Sequence, residues 1–272
     1  MDKQKTKAPV SWAQILEDAV SQPGMISEAY SAFHGYSLGN RLLAWWQCAL
    51  REQPIGPLAT YRGWQERGRQ VRKGEKALVL CQPLTLKRKE ENEQGEEEET
   101  AFTFFAYNAR WFTVHQTDGA DQGAVQVPGW EKARALDSLG IEQTTFAHPD
   151  GNCQGYATGR RFAINPVAQH PERTMFHELG HIVLDHTAEG DVMDGEHTPR
   201  TLREVEAESV AMICCAVLGL PGIEESRGYI QHWLRGPGMP ERSAQKIFTA
   251  AQAILSAGQE EPAAPEGHEV AA

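Results

Sequence analysis

Apolar residues recur at helical spacing through the first fifty positions. Leu38, Leu42, Trp45, Trp46 and Leu50 fall at i, i+4, i+7, i+8 and i+12, the stripe of a helix over residues 37–51, with Asn40 and Arg41 on its outward side. Before it, Trp12, Ile15 and Leu16 mark a shorter amphipathic helix for which Ser11 is the N-cap. A third helix, residues 60–67, carries Tyr61 and Trp64 and stops at Gly68. The pattern then changes period. Residues 77–86 and 101–114 are strand-like, the second rich in aromatics from Phe102 to Phe112, and they pair as a hairpin. The glutamate run between them, residues 90–99, is too charged to pack and reads as a solvated tip.

Glycine, aspartate and proline over residues 118–128 mark a linker. Beyond it, residues 129–139 read as a helix stopped by Gly140, and residues 160–166 as a strand closed by Pro166. An apolar helix follows, with Met175, Phe176, Leu179, Ile182, Val183 and Leu184 on several of its sides. Further helices run from Arg203 into the apolar stretch around Met212, and over residues 229–234 and 243–257. The order predicts an α+β chain. A mixed helix and β-hairpin domain occupies residues 1–120, a second, mainly helical domain residues 121–257, and a disordered Glu/Pro/Ala tail residues 258–272.

The net charge of −11 argues against nucleic acid until its distribution is examined. Residues 1–114 hold 15 Lys/Arg and 14 Asp/Glu, and seven of those acids lie within residues 90–99. The first domain is therefore basic outside one acidic tip, and the second carries nearly all the negative charge. No apolar run reaches the roughly eighteen residues of a membrane span, and no signal peptide is evident. Five cysteines without metal-type spacing fit a reducing compartment, so a cytoplasmic protein without a membrane partner is expected.

The chemistry is concentrated in His177-Glu178-Leu179-Gly180-His181. On a helix the two histidines lie about 6 Å apart along the axis on one face, so both rings can bind one ion, zinc first and another divalent metal such as manganese second. Glu178 can then reach the water that such an ion activates, which is the place of a general base. A third ligand is needed. Thr187 stands where a metzincin would place a histidine, and His186 points about 140° away from His181 if the helix continues. Asp185 faces correctly but lies far from His177, which makes it a supporting partner. The next acidic helix supplies Glu204 as the third ligand, with Glu208 orienting a bound histidine, or the two with exchanged roles. Tyr156, just before the strand, is a candidate donor to a developing oxyanion.

Six basic residues lie within residues 62–76, among them Arg69, Arg72, Lys73 and Lys76, punctuated by Gly68 and Gly74. Such a stretch attracts phosphates without regard to sequence, and Tyr61 and Trp64 are near enough to stack on a base.

With these residues in place the chain resembles the ArdC-type antirestriction proteins of mobile elements, over about residues 11–257. The N-terminal resemblance rests on residues 36–43 and 64–76, above all Val71-Arg72-Lys73-Gly74-Glu75-Lys76, and the C-terminal one on residues 177–181, Glu204 and Ala207-Glu208. It implies single-stranded DNA binding around Arg69, Arg72, Lys73 and Lys76. It also implies that residues 121–257 are a gluzincin-like metallopeptidase domain, with a metal at His177, His181 and Glu204 and Glu178 catalytic, acting on an unidentified protein substrate. Two alternatives remain: a coat protein for single-stranded DNA with a structural metal, and a regulatory protease that cleaves repressors.

Overall fold

A computed structural model of the protein describes residues 8–91, 97–122, 129–149, 152–187 and 199–260, leaving aside the side chains of residues 86–91 and 97–103. It divides into two compact units. One comprises Met1–Ala19 and Glu28–Ala124, the other Val20–Ser27 and Val125–Ala272.

The chain opens with α1 (Trp12–Ser21), α2 (Met25–Ala32) and α3 (Leu38–Leu50). Ser11 Oγ accepts the Gln14 amide and closes the first turn of α1. Leu38 and Leu42 of α3 are fully buried, whereas Leu50, at the end of the same apolar stripe, is 69% exposed. Arg41 and Asn40 correct the outward face read for them. The Arg41 guanidinium is buried, donates to the carbonyls of Tyr36 and Tyr30, and lies over the Tyr30 ring. Asn40 makes both amide hydrogen bonds to the main chain of Cys81, a backbone-like pairing between helix and sheet. Gln47 does the same for Val79, so α3 is tied to the strand by polar groups a helical wheel assigns to solvent.

Next come β1 (Leu58–Thr60), α4 (Tyr61–Glu66), β2 (Arg69–Val71), β3 (Leu78–Glu91), β4 (Glu97–Thr113) and, after one 3-10 turn, β5 (Thr117–Gly119). β3 and β4 form the antiparallel hairpin, and β1 pairs along the outer side of β4. Pairing continues to Glu91 opposite Glu97, so residues 90, 91 and 97–99 of the expected loop are strand, and residues 92–96 lie outside the described residues. The linker also begins later than expected. Thr117–Gly119 pairs antiparallel with Arg69–Val71, and residues 123–128 lie outside the described residues. Gly119, at φ +136°, is required there, because a Cβ would meet the Gly68 carbonyl at 2.4 Å.

In the second unit α5 (Lys132–Leu139) ends at Gly140 in the left-handed conformation, and β6 (Glu142–Gln143), β7 (Gly155–Thr158) and β8 (Arg161–Ile164) form a small mixed sheet. β8 lies centrally, parallel to β6 and antiparallel to β7. Four helices complete it: α6 (Pro171–Val183), α7 (Arg200–Leu218), α8 (Ile223–Leu234) and α9 (Glu241–Ala257). α7 is buried on every side from Val205 to Cys215, which is why its sequence shows little amphipathic contrast. The tail expected to be disordered from residue 258 is ordered at its start. Gln259 bridges to Trp130, whose indole also donates to Ile254, while residues 261–272 lie outside the described residues. All five cysteines are free thiols. The α+β class holds. Among the described residues no helix is long and apolar enough to cross a membrane.

Candidate functional site

Two helices in unusually close contact build the site. Gly180 of α6 packs on α7 so tightly that a Cβ there would lie 3.1 Å from the Ala207 Cα and 3.2 Å from its carbonyl oxygen. Small residues at 180 and 207 bring the helices together and set the two histidines of α6 against the acids of α7. Nε2 of His177 and Nε2 of His181 are 3.1 Å apart, and Glu204 Oε2 lies 3.6 Å from the first and 3.5 Å from the second. These three atoms can share one ion. A tetrahedral ion with ligands at about 2.0–2.1 Å separates its donors by about 3.3 Å, so the spacing of two imidazoles and a carboxylate fits a divalent metal. Glu204 is the open side of the cluster, with 38% of its side chain exposed against 14% for His181.

The remaining nitrogen of each histidine has its own partner. His177 Nδ1 lies 2.9 Å from Glu208 Oε2. The other oxygen of Glu208 accepts both Nε and Nη2 of Arg173, and Arg173 Nε also donates to Ser226 of α8. Glu208, 5% exposed at its side chain, therefore faces the back of His177 while Glu204 faces the front. His181 Nδ1 lies 3.1 Å from His186 Nδ1, and His186 Nε2 lies 3.0 Å from Glu206 Oε2. This placement of His186 corrects the sequence reading. α6 ends at Val183, and Asp185 takes the left-handed conformation at φ +59°, which folds the chain back so that the His186 amide donates to the His181 carbonyl. A helical wheel extended past residue 183 could not show this. Asp185 itself is exposed, and the side chain that stands behind His181 is that of His186.

Glu178 is buried, with only 7% of its surface exposed. Gly155 of β7 makes room for it, since a Cβ at 155 would lie 3.0 Å from Glu178 Oε1 and 2.7 Å from the Thr174 methyl. Nothing in the sequence marks Gly155, because the crowding arises between residues of two different elements, with Thr174 and Glu178 on α6. Burial pushes the Glu178 carboxyl up to about 7, with the neighbouring His177 charge opposing and Glu204 adding to the rise. Burial works against a charge on His177, yet Glu204 and Glu208 outweigh it and hold that imidazole up to about 9. Burial and the His177 charge push His181 down to about 4. The hydrogen bond to His177 holds Glu204 down to about 2. Tyr156 packs its ring against Phe146 and His148.

The basic stretch is arranged differently. Trp64, expected as a stacking platform, is fully buried against Ala59 and Val71, with its indole donating to the Phe112 carbonyl; it cannot meet a base. Tyr61 is 45% exposed and its hydroxyl accepts the Gln70 side-chain amide. The Arg69 guanidinium is spent on β5 and the residue after it, donating to the hydroxyl and carbonyl of Thr117 and to the carbonyls of Gly119 and Ala120. Arg72 pairs with Glu75 and Asp118 and donates to the His115 carbonyl. Both arginines line one hollow of about 380 Å³ with His115 and Gln122. Lys73 and Lys76 are exposed.

Residues 5–115 match the model of the family described as the N-terminal domain of anti-restriction factor ArdC. Two crystal structures of the antirestriction ArdC protein from the R388 plasmid have the same fold. The metal-free one is 22% identical, covers 91% of this chain and 94% of that one, and aligns with a TM-score of 0.52. The Mn(II)-bound one is 21% identical, covers 91% and 96%, and aligns at 0.54. No curated protein matches the chain. The ArdC-type resemblance read from the sequence therefore holds, as a sequence family over residues 5–115 and as a fold over 91% of the chain.

Proposed function

We propose that this chain is an antirestriction-type protein whose second unit is a metal-dependent peptidase and whose first unit binds single-stranded DNA. The observation that carries the peptidase reading is the convergence of His177, His181 and Glu204 on one point, with a buried carboxylate, Glu178, following the first histidine. Three protein donors leave a position open for water, as catalytic rather than structural sites do. The Mn(II)-bound form of R388 ArdC supports a divalent ion, and the imidazole and carboxylate donors suit zinc or manganese.

When bound, such an ion makes water a nucleophile near neutral pH and polarises a peptide carbonyl. The chain's own residues do the rest. Glu178, buried and next to the first histidine, takes a proton from the attacking water and returns it to the leaving amine. Glu208, braced by Arg173, fixes the ring plane of His177. The edge of β7 beside α6 offers main-chain groups to an extended substrate. For the first unit, the support is its basic balance outside the hairpin tip and the exposed Lys73 and Lys76. Cytoplasmic action on an incoming strand and on a host protein completes the reading.

The test is hydrolysis of candidate host proteins by the metal-loaded chain and by Glu178→Ala. Retained metal with lost hydrolysis supports the assignment; equal hydrolysis by both removes Glu178 as the base.

A further inference from the structure

We propose that His186 and Glu206 are positioning residues that hold His181 in the one tautomer able to bind an ion, an inference that rests on the metal-site reading above. Hydrogens can be counted along a chain of three side chains. Glu206 Oε2 faces His186 Nε2 at 3.0 Å, and an ionised carboxylate only accepts, so the hydrogen lies on His186 Nε2. With His186 taken as neutral, its one N–H is used at Nε2 and Nδ1 is left as an acceptor. His186 Nδ1 faces His181 Nδ1 at 3.1 Å, so the hydrogen between them is on His181. His181 Nε2 is then a bare lone pair, and that is the nitrogen 3.1 Å from His177 Nε2 and 3.5 Å from Glu204.

Burial makes this arrangement more than a surface pair. The His186 side chain is 7% exposed and that of Glu206 2%. A carboxylate this deep is costly unless it is paired; His186 and Ser243 hydrogen-bond to it, and the Lys246 charge adds to them. The backbone is bent to the same end by the left-handed Asp185 and the bond from the His186 amide to the His181 carbonyl. The result parallels the first histidine. His177 is oriented directly by Glu208, and His181 is oriented by Glu206 through one intervening ring. Each ligand histidine thus has its own carboxylate on α7.

The test uses the full chain with ¹⁵N-labelled histidine. In the metal-free protein, long-range ¹H–¹⁵N correlations should show His181 protonated at Nδ1. His186→Phe keeps the ring volume but removes the acceptor and should shift His181 toward the Nε2–H form. His186→Gln, whose amide can both accept and donate, should retain the wild-type pattern. Zinc titration should show about 10–100-fold weaker binding by His186→Phe, a smaller loss by Glu206→Gln, and partial recovery by His186→Gln. An Nε2–H tautomer in the wild type, or an unchanged tautomer and zinc affinity in His186→Phe, overturns the proposal. Circular dichroism checks that His186→Phe folds; if it does not, Glu206→Gln, which keeps its volume, decides the matter by the same two readouts. A wild-type chain that takes up no zinc or manganese defeats the metal-site reading, and the tautomer still decides whether His186 sets His181.

Discussion

The α6–α7 cluster and the basic stretch of residues 62–76 both gather charged side chains, but they use them in opposite ways. At the cluster, acids on α7 converge on the two histidines of α6, and each ring nitrogen turned away from the shared point has a partner that orients it. In the basic stretch Arg69 and Arg72 bend back onto the main chain of the same unit. Arg69 holds the β2–β5 ladder through the carbonyls of Thr117 and Gly119, and Arg72 ties the following turn through Glu75. Charge density in a sequence is thus no measure of charge available to a ligand. A guanidinium with five donors is the side chain best suited to satisfy several main-chain carbonyls at once.

The strongest way to break this comparison is through the two aromatics of α4. Trp64→Ala leaves a cavity and removes the indole hydrogen bond to the Phe112 carbonyl, and should destabilise the first unit by about 3–5 kcal/mol in chemical denaturation. Tyr61→Ala, at an exposed position, should stay within about 1 kcal/mol of wild type. Similar losses for both would show that the burial of Trp64 has been misjudged.

The two acids of α7 come next. Glu204→Gln should weaken zinc binding more than Glu208→Gln, for which about 10–100-fold is expected, because losing a ligand exceeds losing the group that orients one. Isothermal titration ranks them, and the reverse order would exchange their roles.

pH gives a third handle on the cluster. His177, held up to about 9 by Glu204 and Glu208 against burial, contributes stability that is complete below its ordinary value of 6.5 and lost as pH rises through 9. The metal-free chain should therefore melt at falling temperature between those limits. Metal affinity should rise over the same window, since the ion replaces the proton. Thermal scans in chelator, with zinc titrations at matching pH, test both directions.

The smallest effects belong to the lysines. Lys73→Ala and Lys76→Ala should each lower the slope of log affinity for single-stranded DNA against log salt by about one, with the fold unchanged. Arg69→Ala should instead loosen the β2–β5 ladder and show its loss in denaturation. Fluorescence anisotropy at two salt concentrations separates them.

What the sequence reveals of each region follows from the range of its interactions. The His177 and His181 pairing is a property of one helix, and the acids of α7 sit at helical spacing from each other, so both can be read locally. The hairpin is equally local and is found where alternation and aromatics put it. What escapes is nonlocal or left-handed. Gly155 matters only because β7 lies against Glu178, and Asn40 and Gln47 matter only because β3 lies beside α3. His186 returns to His181 through a positive φ at Asp185, a residue whose type tolerates that region without announcing it. The burial of Trp64 depends on β4, nearly fifty residues away.

The central claim is that His177, His181 and Glu204 hold one divalent ion, and elemental analysis of the purified chain beside His181→Ala tests it most directly. The predicted result is one zinc or manganese ion per wild-type chain after dialysis, and none in a folded His181→Ala. A wild-type chain free of metal, or a His181→Ala chain that keeps its full complement, would contradict it.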